Sequence, residues 1–323
     1  MQDLADGRPM RFCVVGLGNH ARTKLVPALV ANGQEIVGVV TSQSNPLPLP
    51  IFHRLDAALS ALPPDTVFVI ATPPAVHFKQ AILAIQAGRD VILEKPAFVT
   101  RLEAITAVAE SARRGNALAE AFMYRHTRLY RRLTTCWQAQ RHCIDAIDIT
   151  FVVPELPAGT FRQNDDIASS CLYDMGCYAI ALLVDLDLPL HALDLREVES
   201  PDDHRREAIH LNGVLGGIHA NIRIGVNADY MNMVSFQAKN GERTTFSPFF
   251  YGRPSEKVIS YASASATSRK SICDGNAFEE MLAVPRQIWL DGQPQRALRM
   301  IEVATTLTRL GAALEMFRRR RGC

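Results

Sequence analysis

The sequence predicts an α/β fold whose first half is built on a parallel sheet. Three observations carry that prediction. Short apolar runs alternate with helical stretches of about 10–15 residues through the first 121 residues. The runs are apolar almost throughout rather than every second residue, as strands covered on both faces are. Glycines at 33, 88 and 115 close the helical stretches.

The first run, Arg11–Val15, ends in Gly16-Leu17-Gly18. Residues 20–32 then read as a helix, with Leu25, Ala28 and Leu29 on one face. Glu35–Val40 is the second strand and Asp65–Ala71 another, followed by the turn Thr72-Pro73-Pro74. A helix over His77–Gly88 leads to a strand over Asp90–Leu93 that ends in Glu94-Lys95-Pro96. A helix over Thr100–Arg114 and a strand over Ala117–Ala121 complete the series. In the second half, Ala146–Val153, Ile218–Val226, Met233–Lys239 and Arg243–Ser247 read as strands, the last two joined by the hairpin signal Asn240-Gly241. Ala297–Leu314 reads as a long helix that returns toward the first domain.

A chain of 323 residues, 48% hydrophobic and 21% charged, is long enough for two domains with cores of their own. Its net charge of +2 argues against a dedicated nucleic-acid binder. The local exception, Arg318–Arg321, reads as a solvated helix end, with a patch for an anionic partner as the alternative. The seven cysteines, at 13, 136, 143, 171, 177, 273 and 323, form no C-x-x-C pair, and residues 1–9 do not form a signal peptide. These features predict a cytoplasmic protein without a metal site. No run reaches the ~18 apolar residues of a membrane span. The best, Ile180–Leu188, is broken by Asp185 and Asp187.

Gly16-Leu17-Gly18-Asn19-His20-Ala21 fits G-x-G-x-x-G/A between a strand and a helix. Gly16 allows the tight turn, Gly18 lets the backbone approach a pyrophosphate, and Ala21 keeps the helix close to the sheet. The helix start offers unpaired N–H groups to the phosphates. The context is that of a Rossmann dinucleotide-binding domain; the alternative is an ordinary strand–helix turn that needed glycine. The second strand ends Val40-Thr41-Ser42-Gln43-Ser44-Asn45, without the acid that holds the ribose hydroxyls in NAD sites. The hydroxyls of Thr41 and Ser42 suit a 2′-phosphate, although no Arg or Lys follows at once. NADP is therefore favoured, with NAD as the alternative.

Three further segments join the glycine loop: Ala71-Thr72-Pro73-Pro74 with His77, Glu94-Lys95-Pro96, and Asp174-Met175-Gly176-Cys177-Tyr178. In order and spacing they resemble the Gfo/Idh/MocA oxidoreductase family, and the resemblance covers almost the whole chain. Glu120–His126 resembles the start of that family's second domain. The resemblance implies a Rossmann domain over 1–121 and, over 122–323, an α/β domain with a large, open, mostly antiparallel sheet that binds substrate and makes dimer or tetramer contacts. It also implies hydride transfer between a nicotinamide and a carbonyl or hydroxyl of a small-molecule sugar, sugar nucleotide or related polyol.

Hydride transfer to a ketone leaves a developing alkoxide that needs a cation and a proton. Lys95 follows a strand's C-terminal end, where open α/β sheets bind ligands. The resemblance implies that it bonds the reacting oxygen, on a Lys95–Pro96 peptide that is commonly cis in the family. The alternative is a surface lysine. Asp174 and Tyr178, four apart, share one face if helical. Tyr178 is the candidate proton donor, with Lys95 lowering its pKa, and Asp174 the group that orients the substrate. A helix cap and a buried aromatic are the alternative.

Ala71, Thr72, Pro73 and His77 are read as lining the cofactor, although His77 equally reads as a helix-start residue satisfied by backbone. Glu94 is read as bonding the nicotinamide ribose, His20 as bordering the phosphates. Arg125 is a candidate substrate group, with a surface ion pair as the alternative. Family members carry a glycine-rich stretch before the D-x-x-x-H/Y motif; Ile167–Leu172 has no glycine. That departure keeps two other functions open: a reductase of another natural-product intermediate, an imine or enone, and a cofactor-binding regulator without chemistry.

Overall fold

The computed structural model describes residues 9–42, 48–154, 166–199, 207–226 and 229–321. Two compact units divide the chain, one of residues 1–122 and 278–304, the other of residues 123–277 and 305–323. The loop residues Gln43, Ser44 and Asn45 and the last cysteine lie outside the described residues.

The first unit holds a six-stranded sheet of β1 (Arg11–Val15), β2 (Glu35–Val40), β3 (Ile51–Phe52), β4 (Val67–Ile70), β5 (Val91–Leu93) and β6 (Leu118–Glu120). Every pairing is parallel, in the order β3-β2-β1-β4-β5-β6. Between the strands run α1 (Val26–Ala31), α2 (Leu55–Ala61), α3 (His77–Gln86) and α4 (Arg101–Arg114). Phe68, Ile70, Val91 and Leu93 of the strands are buried against Ala81, Ala84 and Ile85 of α3 and Ala104 and Ala107 of α4. The alanines let the helices lie close to the sheet. α4 opens on a capping box between Thr100 and Glu103 and closes at Gly115, whose φ of 71° suits glycine.

The helix over residues 20–32 departs from the expectation. It opens as a π turn, Ala21–Leu25, and becomes α-helical only at Val26. Pro27 has no N–H for the carbonyl of Thr23, so the α ladder cannot be complete there.

The second unit holds an eight-stranded sheet of β7 (Ile144–Val153), β8 (Asp194–Glu199), β9 (Ala208–Leu215), β10 (Ile218–Val226), β11 (Met231–Ala238), β12 (Arg243–Ser247), β13 (Ser255–Ala262) and β14 (Thr267–Asp274). Its order is β14-β13-β12-β11-β7-β10-β9-β8. Only β7 and β10 pair in parallel; the other neighbours are antiparallel, as the resemblance implied. Gly241, at φ 85°, turns the β11–β12 hairpin. Helices α5 (Arg128–Gln140) and α6 (Cys177–Asp185) belong to this unit. Near the chain end come α7 (Ala277–Leu282), α8 (Arg286–Asp291) and α9 (Gln293–Arg321), which is longer than the sequence pattern indicated. Met300 and Ala304 of α9 are buried in the first unit's core. No helix among the described residues is long and apolar enough to cross a membrane.

The basic C-terminus is not simply solvated. Arg318 is only 12% exposed and donates to the fully buried Glu207 at 2.6 Å. Burial of Glu207 demands a paired cation, and Arg318 supplies it.

Candidate functional site

The glycine loop lies between β1 and the π turn. A side-chain carbon on Gly16, at φ 89°, would meet Thr72 at 2.8 Å, so the loop and the β4 turn can approach only through glycine. At Gly18 a side-chain carbon would meet nothing within 4 Å. That open space beside an exposed glycine, at the start of a helix, is what a pyrophosphate needs. The residues present therefore fit a dinucleotide. The amide of Gly16 donates to the carbonyl of Val40, which ties the loop to the end of β2. There Thr41 is buried and Ser42 exposed, and neither neighbour is an acid.

Lys95 rises from the end of β5 on a loop held from several sides. The amide of Glu94 donates to Ile70, and the amide of Ala97 donates to Glu120 at 2.8 Å. His77 Nδ1 lies 3.1 Å from the Pro96 carbonyl, and its Nε2 lies 2.7 Å from the Thr72 carbonyl. The Lys95–Pro96 peptide is cis. Lys95 itself is half-buried. Glu94 is buried, its Oε1 2.9 Å from His20 Nε2 and its Oε2 accepting from the Lys95 amide at 3.3 Å. Burial pushes the Glu94 carboxyl up, but His20 and Lys95 together outweigh it and hold the group below its ordinary value.

In the second unit, Asp174 lies in a π turn, Leu172–Gly176, and Tyr178 in the first turn of α6. Asp174 is 8% exposed and Tyr178 half-buried. The Tyr178 ring packs against Tyr124, Phe151 and Phe250 at 6.1, 5.6 and 5.5 Å between centroids. Its hydroxyl lies 3.8 Å from the sulfur of Met123. Gly176 is needed here, because a side-chain carbon would meet Ile224 at 2.7 Å. In place of a glycine-rich stretch, Ile167–Ser169 forms a 3₁₀ turn capped by Asp166.

Several sequence readings change. His77 is fully buried with both ring nitrogens on carbonyls, so it shapes the loops of Thr72 and Pro96 from behind instead of lining a cofactor. Arg125 donates to Asp185 Oδ2 at 2.9 Å; Asp185 also accepts from Tyr124, and its side chain is fully buried. The ion pair of that arginine is a buried one rather than a surface one. Arg125 Nε pairs with a buried carboxylate that would otherwise be costly. His20 pairs with Glu94. The Thr72 hydroxyl donates to Gln80 at 2.6 Å.

Two features escaped the sequence reading. The pair His53–Arg54 follows a strand of two residues, too short to show a pattern, that lies beside Thr41. Phe249 and Phe250 join the aromatic bed under Tyr178 from the far side of β12; the adjacent Ser247-Pro248 turn was their one signal.

A parallel sheet in this strand order, with an open glycine loop at one strand end and a lysine at another, is the architecture of NAD(P)-dependent oxidoreductases. Comparison with known proteins narrows that class. Residues 10–122 match the model of the Gfo/Idh/MocA oxidoreductase family with its NAD-binding Rossmann fold. It is 26% identical to the dTDP-3,4-didehydro-2,6-dideoxy-alpha-D-glucose 3-reductase of Actinomadura kijaniata, over 75% of this chain and 76% of the relative. It is 34% identical to galactose 1-dehydrogenase of Pseudomonas fluorescens, over 29% of this chain and 31% of that one. The crystal structure of KijD10, a 3-ketoreductase from Actinomadura kijaniata in complex with NADP and TDP-benzene, shares the fold at TM-score 0.79 and 20% identity, over 93% of this chain and 96% of its own.

Proposed function

We propose that this protein is an NADP-linked reductase or dehydrogenase of a sugar, with a keto-sugar carried on a nucleotide as the leading substrate class. The observation that carries the reading is the seating of Lys95: a half-buried ammonium at a strand end, on a loop fixed by His77, Glu120 and the β-ladder. The Actinomadura relative, named for reducing a nucleotide-linked keto-deoxysugar, supports the substrate class. The first unit is the cofactor domain in this reading, and the second is the substrate and oligomerisation domain.

When bound, NADPH supplies the hydride. Lys95 holds the carbonyl oxygen and stabilises the charge that develops on it. Tyr178 delivers the proton from its hydroxyl, and Asp174 orients the sugar. The glycine loop, Thr41 and Ser42 hold the nucleotide, and Glu94, oriented by His20, bonds the nicotinamide ribose. A homodimer or homotetramer in the cytoplasm completes the reading; the resemblance supports the assembly, and free cysteines at 13, 136, 143, 171, 177 and 273 suit a reducing compartment. Light scattering checks the assembly.

The test is NADPH oxidation with nucleotide-linked keto-sugars, free keto-sugars, imines and enones. Turnover of a keto-sugar that disappears in Lys95→Ala and in Tyr178→Phe is expected. Full turnover in both variants would falsify the mechanism.

A further inference from the structure

We propose that His53 and Arg54, carried to the end of β2 by the two-residue strand β3, take the 2′-phosphate of NADP. The inference rests on the NADP reading above and names the residues behind it.

The end of β2 lacks an acid of its own. It also lacks a cation of its own, and β3 brings one. Val39 pairs with Ile51 and Val40 with Phe52, which sets His53 beside Thr41. The Thr41 amide donates to the Phe52 carbonyl at 3.0 Å, and His53 Nδ1 lies 3.2 Å from the Thr41 carbonyl. A proton on Nδ1 donated to that carbonyl leaves Nε2 for a ligand. Gly38 allows this closeness: a side-chain carbon there would meet the Phe52 ring at 2.8 Å. Arg54 is exposed, with Nε and Nη2 on Asp56. That fork fixes the guanidinium and leaves Nη1 for a phosphate oxygen. Asp56 offsets part of the charge, so His53 and Arg54 are needed together. The Gly16 amide bonds Val40 on the same strand end, so the pyrophosphate loop and this pair flank one segment.

The experiment is a fluorescence titration of NADPH and NADH, with 2′,5′-ADP as a competitor, on the whole protein and on His53→Gln, Arg54→Gln and the double variant. The double variant is expected to lose about tenfold or more in NADPH affinity, the scale of lost charge-assisted hydrogen bonds, and to hold NADH within about twofold. In it 2′,5′-ADP should no longer compete. Unchanged NADPH affinity, or an equal loss for both cofactors, would overturn the inference while leaving the NADP reading in place. A wild type that binds NADH at least as tightly as NADPH would overturn both. Retained NADH binding and an unchanged melting temperature show that the variants fold.

Discussion

The helix behind the glycine loop and the helix that carries Tyr178 both open on a π turn, one in each unit. Such turns interrupt a helix most often where function needs an unusual side-chain direction. What holds the nearby side chains differs. In the first unit the candidate groups are held by polar contacts: Glu94 by His20, the Ala97 amide by Glu120, and the Pro96 and Thr72 carbonyls by the ring nitrogens of His77, whose single N–H when neutral serves one of them. In the second unit Tyr178 rests in a bed of rings, with Tyr124, Phe249 and Phe250 almost fully buried beneath it. Hydrogen bonds set direction, and ring packing sets position and volume. Polar substitutions in the first unit should therefore spoil alignment at little cost in stability. Truncations in the second should cost stability first.

The strongest challenge to that contrast is chemical. Lys95→Ala and Tyr178→Phe are each expected to lower kcat by about 10²–10⁴-fold while NADPH still binds to Tyr178→Phe. Single-turnover kinetics with a keto-sugar measures this. A fall in the melting temperature as large as the kinetic loss would show that the residues are structural.

Next comes Phe250→Ala, which removes a ring touching Tyr124, Phe151, Tyr178 and Phe249. Emptying a buried aromatic site costs about 3–5 kcal/mol. Denaturant unfolding should show the loss in the second unit's transition. Near-wild-type stability would mean that the bed does not support α6.

Lys257 sharpens the comparison at alkaline pH. It is fully buried, donates to the carbonyls of Pro248 and Tyr251, and so holds the loop of Phe249 and Phe250. Burial pushes its ammonium down to about 8, against the pull of Asp274. Between there and the ordinary 10.5 the unfolded chain keeps a proton that the folded chain has released. Stability should rise with pH across that window, by up to about 3 kcal/mol. Lys257→Met should flatten the rise in a melting-temperature series.

The smallest effect belongs to His77. Burial pushes its imidazole down, against the Thr72 and Pro96 carbonyls. The unfolded chain takes up the proton first as pH falls, so stability present above the ordinary histidine range is lost below it. One such group contributes at most about 1.4 kcal/mol per pH unit. His77→Leu should make the acid limb shallower, and an unchanged limb would remove the titrating group from the account.

The parallel sheet was legible because strands buried on both faces are apolar along most of their length, and β4 and β5 are so throughout, β1 and β2 after their first residues Arg11 and Glu35. Lys95, Asp174 and Tyr178 were legible as spaced motifs. β14 was not, because an edge strand that is exposed along most of its length carries no apolar period. β3 was too short to register. The partners of Arg125, His20 and Arg318 were hidden for another reason: Asp185, Glu94 and Glu207 lie 60, 74 and 111 residues away, and only folding brings such groups together.

One feature of the first unit reaches into how the protein is made. Its core closes on Met300 and Ala304, the Leu118 amide finds its acceptor on Gln293, and Asp90 finds its cation on Arg286. Gln293 and Arg286 lie 175 and 196 residues further along the chain than their partners. The sheet must then wait, incomplete, until those later residues have been synthesised. A nascent chain stalled before residue 278 should remain open to protease in its first hundred residues, even though every strand of that sheet has already emerged.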